Sequence, residues 1–293
     1  MRKVLAVINP SSGDETAKDY HDVLNHQLQK YFDEVEIRYT EKAGDAKNFA
    51  RIATTDHVHS IVSFGGDGTV NEIISGISTE NYRPKLCVLP GGTVNAVSRI
   101  LKMPMNKKRA IETMDFTSTK FIDIGSVNDH FFALSCSVGD VSDAIHDASI
   151  DEKSRLGPLA YFKDAFEEFV KMSLYDFQMI IDGHPIEGQF SNIMVCLSNE
   201  IVGKIITEEV KANDGEFLLL AFGDIKGVDL LELSYKTLTK NIEDSRSVKA
   251  FHGKNIEIRC DAPMDYDIDG DKGGSLPISI SILPGHLEMY GHF

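Results

Sequence analysis

The sequence predicts an α/β domain with a doubly wound sheet over residues 1–125, followed by a β-sandwich domain over residues 126–283. The first observation behind this is that residues 1–125 alternate short apolar runs with segments of helical period, the pattern of strand–helix–strand units. The second is that residues 126–283 contain many strand-like runs separated by turn signals. The tail, 284–293, is a candidate for returning to the first domain.

Five apolar runs in the first domain have the composition of strands. Two helices are predicted between them, from Tyr20 to Tyr31 and from Val70 to Ile77, because apolar residues recur there three or four positions apart. Ligands of doubly wound sheets bind at the carboxyl ends of the strands, so the turns that follow these runs are the first candidates for a site. The predicted strands are Lys3 to Ile8, Val35 to Thr40, Ile61 to Phe64, Lys85 to Leu89 and Lys120 to Ile124.

The second domain is predicted to be mostly strand. One helix is expected from Leu159 to Met172, after Gly157 and Pro158, and another from Leu230 to Leu238. Turn signals stand at Asp182-Gly183, Asp214-Gly215 and Asp269-Gly270. The predicted strands are Tyr175 to Ile181, Ile193 to Leu197, Glu216 to Phe222, Val248 to Phe251, Ile256 to Cys260 and Ile278 to Leu283.

Charge and composition exclude several functions. A formal net charge of −15 argues against a nucleic-acid partner, because binding to a phosphate backbone needs a basic surface. No apolar run approaches the length of a membrane span, so no transmembrane segment is predicted. The four cysteines are far apart in apolar stretches, which favours reduced thiols over disulfides or a zinc site, and we expect a cytoplasmic protein.

The most informative motif is the glycine-rich stretch Gly65 to Glu72, which follows a predicted strand and precedes a predicted helix. Its three glycines let the backbone approach a polyanion, and the N–H groups at a helix start can bind phosphate oxygens. Asp67 stands among them, and a carboxylate beside phosphates suits a Mg²⁺ or water ligand better than a direct phosphate contact. The plainer alternative is a glycine-rich turn that only closes a βα unit.

Two further turns fall at the same edge of the predicted sheet. Asn9 to Gly13 follows the first strand and Pro90 to Asn95 follows the fourth. Either turn alone would be a weak signal, but three such turns at one edge are less expected by chance. The lysine of a phosphate-binding P-loop is missing, so the chain is not a P-loop enzyme.

These turns resemble those of the diacylglycerol kinase catalytic domain family, which includes bacterial lipid kinases and sphingosine kinases. The resemblance extends through Thr40, Asp123-Ile124-Gly125, Asp214-Gly215 and Asp269-Gly270-Asp271, and the Gly-Gly-Asp-Gly block is its most specific part. It implies an ATP-binding α/β domain, a carboxyl-terminal β-sandwich and a lipid site in the cleft between them.

The same resemblance implies roles for individual residues. Asp214 would bind a structural Mg²⁺ together with the backbone carbonyls of Lys211 and Glu216, although Asp214-Gly215 is also a good hairpin turn by itself. Asp123 and Asp269 would lie near a catalytic Mg²⁺. ATP contacts would come from Asn9, Pro10, Ser11, Ser12, Gly13, Thr40, Gly66, Asp67, Gly68, Thr69, Val70, Asn71, Glu72 and Thr93.

The chain departs from the family at two positions that bear on catalysis. The family's general base is a glutamate two residues after the aspartate of the last Asp-Gly turn, and Asp271 stands there. Aspartate can accept the same proton but is one methylene shorter; a solvent-facing hairpin aspartate is the other interpretation. In many relatives an aspartate follows the position of Asn95, whereas this chain has Ala96.

The sequence therefore predicts a lipid kinase peripheral to the membrane, using ATP and Mg²⁺ and acting through Asp271, Asp67 and Asp269. The γ-phosphate of ATP would pass to the hydroxyl of diacylglycerol or a similar lipid, giving phosphatidic acid. The sequence leaves open whether the protein forms a homodimer. One alternative is a NAD kinase-like enzyme, since that family also uses a Gly-Gly-Asp-Gly-Thr turn. The other is a nucleotide- or lipid-binding protein with weakened catalysis, as Ala96 and Asp271 suggest.

Overall fold

The structure, a computed structural model, describes residues 1–139, 173–197, 200–201, 204–205 and 213–292. Its first domain is a parallel sheet in the order β2-β1-β3-β4. The strands are β1 (Lys3–Ile8), β2 (Glu34–Tyr39), β3 (Ser60–Gly65) and β4 (Lys85–Pro90). The helices are α1 (His21–Leu28), α2 (Asp45–Thr55), α3 (Asp67–Ser78), α4 (Ala96–Ile100) and α5 (Lys107–Thr113).

The central strands of this sheet are buried on both faces. Nearly every residue of β1, β3 and β4 is buried, which is why their sequences are continuous apolar runs rather than alternating ones. α3 adds Val70, Ile73, Ile74 and Ile77 to the same core, at the spacing that the sequence predicted. The helical layers therefore hold the strand ends, and the turns that follow them, in fixed positions.

The second domain consists mainly of antiparallel strands. One further helix of the described residues is α6 (Gly227–Leu238), which contains the predicted helix from Leu230. The predicted helix from Leu159 to Met172 lies outside the described residues. The strands are β5 (Thr119–Val127), β6 (His130–Phe132), β7 (Ser135–Gly139), β8 (Tyr175–Ile181), β9 (His184–Phe190), β10 (Asn192–Cys196), β11 (Glu200–Ile201), β12 (Lys204–Ile205), β13 (Phe217–Phe222), β14 (Val248–Gly253), β15 (Asn255–Cys260), β16 (Asp265–Ile268), β17 (Asp271–Ser275) and β18 (Ile278–Tyr290).

Two sheets pack face to face to form the sandwich. Within the described residues, β14-β13-β10-β7-β16-β17 form a six-stranded sheet, and β15, β8 and β9 extend the sheet of the first domain. Phe177 and Ile258 from the extended sheet share one apolar core with Val195, Phe217 and Leu219 from the six-stranded sheet. The predicted fold, an α/β domain followed by a β-sandwich, is confirmed.

The last strand belongs to both domains. β18 pairs antiparallel with β15 and β5, bends at a register shift between Leu283 and Leu287, and then lies parallel to β4 with Met289 opposite Leu86. The hydroxyl of Tyr290 is 2.8 Å from that of Ser60 in β3. The residues after 283 thus form a strand in the sheet of the first domain. The predicted boundary at residue 125 falls inside β5 and stays a prediction.

Several expectations from composition can be compared with the described residues. No helix among them has the length and apolar character needed to cross a membrane. Cys87, Cys136, Cys196 and Cys260 are free thiols, and the first three are buried. Burial raises the pKa of Cys87 and of Cys196 to about 12, so these thiols are unreactive core residues.

Candidate active site

Three turns meet at the carboxyl edge of the parallel sheet, and glycine makes their contact possible. The Gly91 N–H donates to the carbonyl of Gly65 at 2.9 Å. A Cβ atom on Gly92 would lie 2.6 Å from the Cα of Gly66, and one on Gly13 would lie 2.6 Å from the carbonyl oxygen of Gly91. Larger residues would therefore separate the turns, which explains the glycines after β1, β3 and β4.

Side chains fix the same turns to one another. The Ser12 hydroxyl accepts a hydrogen bond from the Gly66 N–H at 3.2 Å. The Asn9 amide donates to the Thr69 hydroxyl at 3.0 Å, while its oxygen accepts the N–H of Ser11 at 3.0 Å. The start of α3 is thus held against the turn after β1 before any ligand binds.

A cavity of about 600 Å³ opens beside these turns. This volume is in the range of small-molecule sites. Nine of the predicted ATP contacts line it, and Pro10, Gly13, Asp67, Val70 and Thr93 do not; the predicted general base Asp271 lines it as well. Its lining is Asn9, Ser11, Ser12, Thr40, Glu41, Lys42, Ala43, Ala46, Lys47, Gly66, Gly68, Thr69, Asn71, Glu72, Ser75 and Asp271.

Sequence reasoning missed six residues of this lining. Five of them belong to the loop and first turn after β2, and the sixth lies on α3. The signal that could have found the loop is topological, because β2 neighbours β1 and ends at the same edge of the sheet. The missed residues are Glu41, Lys42, Ala43, Ala46, Lys47 and Ser75.

Asp67 lies at the start of α3 and is directed toward the next turn. Its carboxylate accepts hydrogen bonds from the backbone N–H groups of Asn95, Ala96 and Val97. Burial raises the pKa of Asp67, and these hydrogen bonds oppose the rise only in part. Asp67 thereby holds the start of α4 in place. Ala96, which stands where many relatives have an aspartate, contributes only its backbone N–H to this contact.

Asp269 approaches from the second domain, at the turn between β16 and β17. It has a left-handed backbone, with φ of 51°. Its carboxylate accepts the N–H groups of Ala133 and Leu134, each at 2.9 Å, and of Ser135 at 3.0 Å. The pKa of Asp269 is raised to about 6, mainly by burial; the three hydrogen bonds oppose the rise, and the nearby Asp67 carboxylate contributes a smaller part of it. The carboxylates of Asp67 and Asp269, one from each domain, are therefore near enough to interact electrostatically.

Asp271 is the first residue of β17 and contributes an exposed carboxylate to the cavity. A Cβ atom on Gly68 would lie 3.7 Å from its Oδ2 atom. No hydrogen bond or ion pair engages this carboxylate within the described part of the chain. The structure therefore brings the predicted general base to the glycine-rich turn of the other domain.

Three of the predicted metal ligands, Asp123, Asp214 and Glu216, lie around one turn, because Asp123 accepts the N–H of Gly215, which stands between the other two. The fourth, residue 211, lies outside the described residues. Asp123 is 3% exposed, and its two oxygens accept the N–H groups of Gly215 and Gly285, both at 2.7 Å. Asp214 Oδ1 accepts the Glu216 N–H at 3.3 Å, as expected in a turn. No group of three or more His, Cys, Asp or Glu side chains that could hold a metal occurs in the described ranges. The metal assignments stay predictions.

The fold and this site define a two-domain protein with a nucleotide-sized cavity on its α/β domain and a carboxylate supplied by its β-sandwich. Residues 3–146 match the family described as diacylglycerol kinase catalytic domain. Residues 136–291 match the family described as YegS C-terminal NAD kinase beta sandwich-like domain. The chain belongs to the diacylglycerol kinase catalytic domain family.

Similar proteins extend over nearly the whole chain. A putative lipid kinase of Streptococcus pneumoniae is 35% identical over 99% of this chain and 98% of its own. A diacylglycerol kinase of Staphylococcus epidermidis is 31% identical over 99% of this chain and 92% of its own. The crystal structure of a putative diacylglycerol kinase from Bacillus anthracis has a TM-score of 0.86 at 26% identity, covering 99% of this chain and 95% of its own.

Proposed function

We propose that this protein is an ATP-dependent lipid kinase, which transfers the γ-phosphate of ATP to the hydroxyl of diacylglycerol or a similar lipid and yields phosphatidic acid. The observation that carries the proposal is the approach of Asp271, from the second domain, to Gly68 at the start of α3. It places a free carboxylate beside backbone N–H groups suited to phosphate oxygens. The lipid acceptor is supported by the names of the similar proteins.

In this proposal the turns bind and orient the triphosphate. The first N–H groups of α3 have no carbonyl partner within the helix and can donate to phosphate oxygens. Asn9, Ser11 and Ser12, from the adjoining turn after β1, add polar atoms to the cavity lining. Phosphoryl transfer depends on positioning and charge stabilisation more than on covalent chemistry, so a rigid set of turns suits it.

Asp271 would accept the proton of the lipid hydroxyl as that oxygen attacks the γ-phosphorus. The carboxylate lines the cavity close to Gly68, where the terminal phosphate would be. ADP leaves with the electrons of the broken bond. General base catalysis of this kind contributes roughly a hundredfold or more to turnover.

The acidic residues of the cleft fit a Mg²⁺ ion that arrives with the nucleotide. Asp67 and Asp269 present like charges to each other, and a divalent cation would relieve their repulsion. Their oxygens already accept backbone N–H groups, so they would hold the ion through water, as Mg²⁺ commonly keeps several waters and binds phosphates directly. When bound, the ion neutralises charge on the triphosphate.

Incubation with γ-labelled ATP, Mg²⁺ and a total lipid extract tests the proposal. The expected result is label in a lipid that migrates with phosphatidic acid, and its loss in Asp67→Asn. A parallel incubation with NAD addresses the NAD kinase alternative, which label in NADP with none in lipid would support. ATP binding without label in either product would instead indicate a binding protein without turnover.

A further inference from the structure

One wall of the cavity consists of residues 40–47, which comprise the loop between β2 and α2 and the first residues of α2. We call this segment the 40–47 loop. Thr40, Lys42, Ala43, Ala46 and Lys47 of this loop line the cavity. Residues 41–44 are exposed, so burial does not hold the loop in place. Its conformation has to be fixed by hydrogen bonds.

α2 starts without a cap from its own sequence. Its N-cap residue is Gly44, which has φ of 86° and no side chain to accept the first free N–H groups of the helix. The neighbouring carboxylate of Asp45 is directed backward, accepting the N–H groups of Glu41 at 2.9 Å and Lys42 at 3.0 Å. The cap of α2 must therefore come from elsewhere.

Glu72 on α3 supplies it. Its Oε1 atom accepts the Gly44 N–H at 2.8 Å, and its Oε2 atom accepts the N–H groups of Ala46 at 3.1 Å and Lys47 at 3.4 Å. A carboxylate at a helix amino terminus is favoured both by hydrogen bonding and by the helix dipole.

Close packing of the two helices fixes the reach of Glu72. Gly76 lies one turn further along α3, and a Cβ atom there would come within 2.4 Å of the Lys47 carbonyl oxygen and 2.9 Å of the Ala50 Cβ. Glycine thus lets α3 approach α2 until the Glu72 carboxylate touches the amino terminus of α2. The distance between the loop and α3 is set by this contact.

The loop faces the part of the cavity far from Asp271. Between Gly68 and Ser75, both in the lining, α3 rises by about 10 Å. A nucleotide with its terminal phosphate beside Gly68 would extend its nucleoside toward Ser75 and the loop. The side chains there are small, Ala43, Ala46 and Ser75, which leaves room for a flat ring.

We propose that Glu72 is a positioning residue, which holds the 40–47 loop as the nucleoside wall of the cavity instead of contacting the nucleotide itself. The proposal rests on the proposed function of the cavity as a nucleotide site. Three backbone N–H groups already occupy the two oxygens of Glu72, so the residue acts on the ligand through the loop.

The test compares Glu72→Gln with Glu41→Gln. Glu41 lines the same cavity, so the control removes the same charge without removing an acceptor of loop N–H groups. In nucleotide-free protein, the amides of Gly44, Ala46 and Lys47 should exchange faster with solvent in Glu72→Gln and at the wild-type rate in Glu41→Gln. ATP, ADP and adenosine should all bind Glu72→Gln more weakly by the same factor, roughly fivefold, since a cap is worth about 1 kcal/mol and every 1.4 kcal/mol is a factor of ten. The KM for ATP should rise while kcat at saturating ATP is kept.

Two outcomes would overturn the role of Glu72. Faster exchange with unchanged nucleotide affinity would make it an ordinary helix cap, and lost affinity with unchanged exchange would make it a direct ligand. If Glu72→Gln does not fold, Glu72→Asp keeps the charge but shortens the reach, and should show the same two effects at smaller size. Failure of the wild-type protein to bind adenosine, ADP or ATP would refute the nucleotide cavity itself, whatever the exchange rates of the loop.

Discussion

At the scale of residues, the acidic side chains of the cleft divide into two kinds. Asp67 and Asp269 are held by backbone N–H groups, each of them fastening a turn. Asp271 forms no such bond within the described residues and is the carboxylate free to accept a proton. The Asp-Gly-Asp motif therefore combines one residue that shapes the turn with one that is available for chemistry.

The pKa of Asp269 makes a prediction about stability. This pKa is about 6 in the folded chain against an ordinary value of 3.8, so the folded state holds a proton that the unfolded state releases. Its contribution to stability is complete well below pH 3.8 and is lost as the pH rises from there through 6. Without Mg²⁺, the free energy of unfolding of the wild type relative to Asp269→Asn should fall by at most about 3 kcal/mol between pH 4 and pH 7.

Urea unfolding of both proteins at the two pH values provides the measurement. Subtracting the unfolding free energy of Asp269→Asn from that of the wild type at each pH removes the contribution of other carboxyl groups. One of these is Asp14, whose pKa lies well below its ordinary value because of its hydrogen bond with Lys107. A difference that is constant or grows with pH would contradict the buried state of Asp269.

At the scale of elements, Asp123 in β5 connects a turn of the sandwich to the bend in β18. Asp123→Ala would leave the N–H groups of Gly215 and Gly285 without their acceptor, and we expect a loss of roughly 2–3 kcal/mol in the free energy of unfolding. Asp176→Ala, which removes one exposed hydrogen bond to Gln189, is the matched control and should cost well under half as much. Equal, small losses in both would show that Asp123 does not hold these elements together.

The predicted structural Mg²⁺ at Asp214 can be tested by thermal unfolding. If the site exists, Mg²⁺ stabilises the folded state that binds it, so EDTA should lower the Tm of the wild type. Asp214→Ala should have the lower Tm with or without Mg²⁺. A variant that melts like the wild type under both conditions would leave Asp214 as a turn residue only.

The elements that could be predicted from the sequence are those with a strong apolar signal, either a continuous run or a helical period. β1, β3 and β4 are continuous buried runs, and all three were predicted. α2 was missed because its buried face consists largely of Ala46, Ala50 and Ala53, which give a weak apolar signal. β9 and β17 were missed because their residues are mostly polar or glycine, and pairing with neighbouring strands, instead of burial, makes them strands.

At the scale of the whole molecule, β18 pairs with strands of both domains, and residues of both domains line the candidate active site. β18 begins in the sandwich, where it pairs with β15, and ends beside β4, so this strand fixes the domains to each other. The convergence of the three glycine-rich turns could be predicted, since parallel strands end at one edge. The approach of Asp271 to Gly68 could not be predicted, because it depends on how the sandwich lies against the first domain.

The measurement that tests the account most directly is turnover of one diacylglycerol by the wild type, Asp271→Asn and Asp271→Glu side by side. We expect Asp271→Asn to lose a factor on the order of a hundred or more in kcat while ATP affinity barely changes, because the amide cannot accept the proton. Asp271→Glu should keep activity, since it retains the carboxylate and lengthens its reach. Phosphate transfer by Asp271→Asn at close to the wild-type rate would contradict the assignment of this carboxylate as the base.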